Sequence, residues 1–367
     1  MHIVFSGGGT GGHLFPGLAV AAELRARQPQ LAITFCGNGQ EFDRAQVAAA
    51  GFAYRGFPCS PATRTLRGAW QFFRRHLQGA RMANDFLRQQ RVTLVIGLGG
   101  YASVPIARAA ARQQISLVLL EQNAVPGRAT RWLARTAELV CLSFDEARTR
   151  LPAAARLHTT GNPLRRAFVQ ARHHVVADQP RRLVVLGGSR GAADVNKHVP
   201  RALYKLRDVL HGWQVVHVCG TSPQPTCRLY ERLNLNAEVR EFADDLPGIL
   251  AGASLAVSRA GGTTLAELAV LGVPAVLLPY PSATDDHQRA NASVFVQSGG
   301  AAIADSRGVS GRLDDQLATT LWPLLTAPLR LPRMGQAIRR LGHPHATAIV
   351  ADNIQRLLPS HPQAHAA

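Results

Sequence analysis

One pattern occurs twice in this chain, about half its length apart. Ile3-Val4-Phe5-Ser6 runs into Gly7-Gly8-Gly9-Thr10-Gly11, and Leu183-Val184-Val185-Leu186 runs into Gly187-Gly188-Ser189-Arg190-Gly191. Each copy is a short apolar run, a glycine turn and the start of a helical segment. Further apolar runs follow the same logic: Ala32–Cys36, Thr93–Ile96, Ser116–Leu120, Leu139–Leu142, Gln214–Val218, Leu255–Ser258 and Ala275–Leu278. Their hydrophobicity is continuous rather than alternating, so both faces of each strand are covered, which predicts parallel sheets in an α/β fold. With 367 residues and roughly 100–200 per domain, the duplicated unit predicts two Rossmann-like domains. The junction falls near Gly161–Arg182, where Gly161-Asn162-Pro163 reads as a turn. The tail Pro359–Ala367 lacks periodicity and reads as disordered.

Composition narrows the function. The formal charge is +18, and Lys197 and Lys205 are the only lysines, so arginine carries nearly all of it. A basic chain attracts an anion: nucleic acid, a phosphorylated ligand or an acidic membrane face. Nucleic acid is the rival from another class. No recognition helix or aromatic-basic RNA motif stands out, and the glycine turns suit a small anion better. Five cysteines form no Cys-x-x-Cys pair, and no dense Cys/His cluster suggests a structural metal. Asp244-Asp245 and Asp285-Asp286 lack the further ligands of a metal site and read as turn acids. No cofactor or metal is expected. The chain opens directly into a strand with no apolar leader, which predicts a protein that is not secreted. The longest uncharged stretch, Leu268–Thr284, is interrupted by Gly272, Pro274, Pro279 and Pro281 and cannot span a bilayer.

The glycine turns carry the chemistry. Gly7, Gly9 and Gly12 fit Gly-x-Gly-x-x-Gly, but the second strand ends at Phe35-Cys36-Gly37-Asn38 without the acid a dinucleotide ribose requires. What remains is backbone that lets an anion approach a helix N-terminus. His13 stands at that helix start, as an acid/base or ligand group or as a solvated loop histidine. Gly99-Gly100-Tyr101 and Glu121-Gln122-Asn123 follow other strands on the same edge, the latter as a convergent polar cluster or a plain turn. In the second half, Gly187–Ala192 offers another anion cradle, with Ser189 able to donate to a phosphate oxygen. Ser258–Glu267 is a third strand–glycine–helix unit, in which Glu267 either holds a ribose diol through paired hydrogen bonds or is a solvated helix acid.

One segment departs from this scheme. Leu66, Trp70, Phe73 and Leu77 recur at i, i+4, i+7 and i+11, on one helix face, among Arg64, Arg67, Arg74, Arg75 and Arg81. The pattern fits an interfacial helix on anionic lipid, or an amphipathic helix packed on the sheet.

Taken in order, Gly8–Gly17, Gly99-Gly100-Tyr101, Glu121-Gln122-Asn123, Gly161–Arg165, Gly187–Ala192, Ser258–Glu267 and His287–Ala292 resemble the MurG family, across Ile3 to about Leu358. These are UDP-N-acetylglucosamine transferases that convert lipid I to lipid II in bacterial peptidoglycan synthesis. The resemblance implies a GT-B architecture: two Rossmann-like domains with parallel sheets facing across a cleft. Residues 1–163 would form the acceptor and membrane side, rejoined by a last helix at about 344–358, and 164–343 the donor side. It also implies an inverting, metal-independent transfer at the cytoplasmic face of the inner membrane, by a peripheral protein. UDP-N-acetylglucosamine, lipid I and the anionic membrane surface would be the partners, with other cell-wall synthesis proteins as further candidates and no nucleic acid.

Matched by motif, the donor site would include Thr10, Gly11, Gly12, Asn123, Arg165, Ser189, Gly262, Thr263, Thr264, Leu265, Ala266, Glu267 and Gln288, with the backbone of Ala243 reading uracil. His13, Tyr101, Glu121 and Asn123 would lie on the acceptor side. His13 is the candidate base, because histidine is the side chain whose unperturbed pKa lies near neutrality. Helix N-termini, Ser189 and Arg165 would stabilise the leaving pyrophosphate. Three positions depart from the family pattern: Leu120 replaces a histidine, Ala243 an isoleucine and Arg190 a glutamine. A related transferase with another lipid acceptor, such as diacylglycerol, is the alternative within the superfamily.

Overall fold

A computed structural model describes residues 1–60, 65–173, 180–188, 191–220, 222–305, 312–327 and 329–358. Ser189, Arg190 and the tail 359–367 lie outside these residues, as do Arg64 and the side chains of Leu66 and Arg67. The chain divides into two compact units. One comprises Met1–Gln122, Pro126–Pro163 and the segment from His345, the other Asn123–Val125 and Leu164–Pro344.

The first unit is a seven-stranded parallel sheet: β1 (His2–Ser6), β2 (Ala32–Gly37), β3 (Ala53–Gly56), β4 (Leu94–Gly97), β5 (Ser116–Glu121), β6 (Leu139–Leu142) and β7 (Leu157–Thr159), in the order β3-β2-β1-β4-β5-β6-β7. Alternate side chains leave opposite faces, and each face meets its own helices. Ile3 and Phe5 join Leu14, Leu18 and Leu24 of helix Gly11–Arg27 and Val350 and Ile354 of helix Ala346–Leu357. Val4 and Val95 join Phe86 and Leu87 of helix Leu66–Gln89 and Ile106 of helix Val104–Arg112. Polar contacts secure the C-terminal helix in this unit. Arg27 reaches Asp352 at 2.5 Å and Gln355 at 2.8 Å, and Asn353 meets His158 at 2.9 Å.

The second unit repeats the plan with six parallel strands: β8 (Arg181–Leu186), β9 (Trp213–Val218), β10 (Glu238–Arg240), β11 (Leu255–Ser258), β12 (Ala275–Leu277) and β13 (Ala301–Ile303), ordered β10-β9-β8-β11-β12-β13. Leu183 and Val185 pack with Val195, Val199 and Leu203 of helix Ala193–Lys205 and Leu317 and Leu321 of helix Leu313–Thr326. The two sheets are Rossmann-like and together constitute the GT-B fold class.

In both sheets the strand order reverses beside the first strand of the unit, between β1 and β4 and between β8 and β11. Loops leaving the carboxyl ends on either side of such a reversal diverge and open a crevice for ligand. The glycine-rich segments stand at those two places.

Candidate active site

In the first unit the turn after β1 is held by a buried carboxylate. Gly8 has φ +119°, and a Cβ there would lie 2.5 Å from Asp43 Oδ2. Asp43 is fully buried, and the same oxygen accepts the Gly9 N–H at 2.7 Å. Glycine is therefore required for the carboxylate to reach the turn. Asp43 braces the glycine turn with no sequence motif to announce it.

Thr10 occupies the N-cap of helix Gly11–Arg27 with extended backbone, yet its side chain makes no capping bond. Its hydroxyl lies 2.9 Å from His13 Nδ1 instead. The opposite edge of the imidazole lies against Gly99, where a Cβ would be 3.0 Å from His13 Cδ2 and 3.4 Å from Nε2. The ring is thus oriented through Nδ1 by Thr10 and accommodated by the bare backbone of the turn after β4. Gly11 is buried, Gly12 exposed, and His13 half-buried.

Tyr101 begins the turn after Gly100, and its hydroxyl accepts from Asn38 Nδ2 at 2.7 Å, joining the ends of β2 and β4. Glu121 faces inward: it is 3% exposed, and Oε2 accepts the Gly127 N–H at 3.0 Å. It braces the loop that starts helix Arg128–Leu133. Leu120 beside it is core.

Asn123 belongs to the second unit, although its sequence position is in the first half of the chain. Asn291, wholly buried, is the reason. Its Nδ2 donates to Asn123 Oδ1 at 3.0 Å and to the Ala260 carbonyl at 3.0 Å, while its Oδ1 accepts the Ala124 N–H at 2.8 Å. This clasp brings the Asn123–Val125 strap beside the turn after β11.

That turn leads into helix Gly262–Leu271, whose N-cap Gly261 provides no side-chain cap. Thr264 and Ala266 are half-buried, whereas Leu265 is 0% exposed and is a core side chain. Its side chain is therefore not available to a ligand. Glu267 is 6% exposed, and Oε1 lies 3.9 Å from Arg165 Nη2. Burial pushes its carboxyl up to about 7, against the pull of the Arg165 guanidinium. It is a buried carboxyl, not a solvated helix acid. Arg165 stands at the N-cap of helix Arg166–Ala171, with its guanidinium 5.0 Å from the centre of the Phe168 ring.

Gln288 lies in the first turn of helix His287–Gln297, and its Oε1 accepts the Tyr280 N–H at 2.9 Å. The bond orients the side-chain amide so that its NH₂ is the group it offers beyond the loop. Ala243, half-buried, follows the end of β10, two residues after Glu241, whose carbonyl accepts the Gly220 N–H at 2.9 Å. Asp245 caps helix Leu246–Ala251 by accepting from Gly248. No group of three His, Cys, Asp or Glu among the described residues is placed to hold a metal.

On helix Leu66–Gln89, Trp70 is 61% exposed, Phe73 67% and Leu77 42%, while Ala83, Phe86 and Leu87 are buried against the sheet. Trp70, Phe73 and Leu77 face solvent, and Arg74 lies over the Trp70 ring at 5.1 Å. No helix among the described residues is long and apolar enough to cross a membrane.

The chain is similar to known glycosyltransferases over nearly its whole length. Residues 3–142 match the glycosyltransferase family 28 N-terminal domain and residues 182–346 the family 28 C-terminal domain. The UDP-N-acetylglucosamine–N-acetylmuramyl-(pentapeptide) pyrophosphoryl-undecaprenol N-acetylglucosamine transferase of Anaeromyxobacter dehalogenans strain 2CP-1 is 37% identical over 366 residues, 98% of this chain and 93% of that protein. The protein of the same name from Geobacter sulfurreducens is 35% identical, over 96% of this chain and 98% of its own length. The crystal structure of Acinetobacter baumannii MurG superposes with a TM-score of 0.75 at 30% identity, covering 97% of this chain and 99% of the other. With both halves matched in order, the chain belongs to glycosyltransferase family 28.

Proposed function

We propose that this protein transfers N-acetylglucosamine from UDP-N-acetylglucosamine to the muramyl 4-hydroxyl of lipid I, giving lipid II. The observation that carries the reading is likeness over nearly the whole chain to transferases of that name. Glycine turns also flank the strand-order reversal in each sheet, where an α/β fold opens a crevice for ligand, and this supports the reading. In the second unit Glu267 takes the ribose hydroxyls, Gln288 the sugar hydroxyls, and Arg165 the pyrophosphate. In the first unit His13 works on the acceptor.

The step is a direct displacement. The 4-hydroxyl oxygen bonds to the anomeric carbon, the bond to the pyrophosphate oxygen breaks with its electron pair, and UDP leaves. The hydroxyl proton passes to Nε2 of His13, for which Nδ1–H must donate to Thr10 Oγ1. Charge that builds on the leaving group meets Arg165 and helix N-termini, with Ser189 as a further donor by motif. Nothing in this scheme requires a metal, and no cofactor is assigned.

The protein acts as a peripheral one at the cytoplasmic membrane face, docking through Trp70, Phe73 and Leu77, with Leu66 by pattern, inside a rim of arginines. A polyprenyl acceptor is confined to a membrane, so an exposed apolar stripe with basic neighbours supports this reading. Transfer of labelled N-acetylglucosamine to a synthetic lipid I analogue, with diacylglycerol as the competing acceptor, tests it. Label in the lipid I product alone is expected. Label in the diacylglycerol product, or duplex DNA binding without transfer, would overturn it.

A further inference from the structure

We infer that Arg259 is a positioning residue for sugar discrimination, holding the loop through which Gln288 reads the donor's hydroxyls. The inference rests on the donor role of Gln288 proposed above and extends it to a residue in another element.

Arg259 follows directly on β11, and its side chain is 13% exposed. Its guanidinium is shared between a helix and a loop. Nη2 is ion-paired with Asp194, in the first turn of helix Ala193–Lys205, the helix that follows the glycine turn of β8. Nη1 donates to the carbonyl of Leu278 at 3.0 Å and lies 3.5 Å from that of Pro279, at the end of β12. The guanidinium also lies over the Tyr280 ring, 5.2 Å from its centre. Tyr280 is the residue whose N–H fixes Gln288 Oε1. The connection is therefore continuous: Asp194 anchors Arg259, Arg259 grips residues 278–280, and Tyr280 sets the rotation of the Gln288 amide.

The residue type matters. A guanidinium presents several N–H donors in a rigid planar fork and can also stack on an aromatic face, whereas lysine carries a single point charge. Lysine at 259 could keep the ion pair with Asp194 while losing the carbonyl contacts and the stacking. The loop 278–280 would then lose its grip, and the Gln288 amide its direction. A site built to hydrogen-bond a substrate hydroxyl discriminates strongly only while its polar group is held in place. The loss should therefore fall on discrimination between sugars more than on the grip on UDP.

The experiment compares kcat/KM for UDP-N-acetylglucosamine and its 4-epimer, UDP-N-acetylgalactosamine, with the Kd of UDP measured in parallel. Arg259→Lys is expected to lower the preference for the first donor by about tenfold while changing the UDP Kd less than about threefold. Asp194→Asn, which weakens the anchor without touching the loop, should move the preference in the same direction. It also carries the test if Arg259→Lys does not fold. Because both residues act through one amide, Arg259→Lys combined with Gln288→Ala should discriminate no worse than Gln288→Ala alone.

Weakened UDP binding with unchanged preference, or additive losses in the double variant, would overturn the inference. Lost preference in Gln288→Ala with none in Arg259→Lys or Asp194→Asn overturns the inference and leaves the role of Gln288 standing. Unchanged preference in Gln288→Ala overturns that role, and the inference with it.

Discussion

Arg165 Nη2 and Glu267 Oε1 lie 3.9 Å apart, the guanidinium at the edge of solvent and the carboxyl buried. The separation is too long for a direct hydrogen bond, and burial outweighs the attraction. Glu267 in the free protein is therefore divided between acid and carboxylate near pH 7. A ribose diol is best held by the carboxylate, which accepts two hydrogen bonds. Donor binding should release on the order of half a proton per site at neutral pH. Calorimetry of UDP binding in buffers of different ionisation enthalpy measures this directly. UDP affinity should rise from pH 6 to 8, and Glu267→Gln should abolish both effects. A pH-independent affinity in the native protein would contradict the assignment.

The same shift acts on stability. The folded carboxyl holds its proton up to about 7, against an ordinary value of 4.5, so the folded state binds more protons between those values. Stability of the ligand-free protein should fall as pH rises through that window, by at most about 3 kcal/mol. Thermal unfolding of Glu267→Gln should lack this slope. Glu267→Ala should weaken donor use by on the order of 2–3 kcal/mol, the scale of a lost charge-assisted bond. Unaltered donor kinetics would remove Glu267 from the site.

His217 gives the opposite slope at lower pH. It is fully buried on β9, between the Tyr230 hydroxyl at 3.1 Å and Asn196 Oδ1 at 3.0 Å. Nε2–H donates to Asn196, and Nδ1 accepts from Tyr230, which is the arrangement of a neutral ring. Burial pulls its pKa down to about 4 from 6.5. The unfolded chain therefore binds a proton that the folded chain refuses. Stability should be full above pH 6.5 and decline toward pH 4, by at most about 3 kcal/mol. Urea unfolding across that range measures it. His217→Gln should flatten the decline while lowering stability throughout, and an unchanged slope in that variant would contradict the account.

Membrane docking is tested by vesicle co-sedimentation. Binding should rise with anionic lipid and fall with salt, each basic residue near the surface contributing about 1 kcal/mol. Trp70→Glu with Phe73→Glu should release the protein without altering its fold, because both side chains are solvent-exposed. Normal co-sedimentation of the folded double variant would rule out this face.

What the sequence disclosed and what it hid follow from burial. The nine continuous apolar runs are strands, to within one or two residues. The four strands it did not disclose, β3, β7, β10 and β13, are the four sheet edges. They are three or four residues long, and their side chains are half-buried or exposed apart from Ala301, so they need no apolar run to announce them. The glycine turns were legible because positive-φ backbone and close approach demand glycine. The groups that brace those turns were not. Asp43, Asn291 and Arg259 each act through a single side chain whose partner is distant in sequence: Gly9, Asn123 and Asp194 respectively. Periodicity carries no information about such pairs. The inward turn of Glu121 was hidden for the same reason, since its partner is a backbone N–H that only the folded loop presents.

The most direct test of the central claim is His13→Ala, assayed by single-turnover transfer to a lipid I analogue alongside the Kd of UDP. His13 is set by Thr10 Oγ1 at 2.9 Å and stands at a helix start on the ligand edge of the first sheet. A base in this position supplies about 10²–10⁴-fold. Turnover should fall by that factor with UDP binding nearly unchanged, the pattern of an interaction made only in the transition state. Weakened UDP binding with near-normal turnover at saturation would contradict the account and make His13 a phosphate ligand.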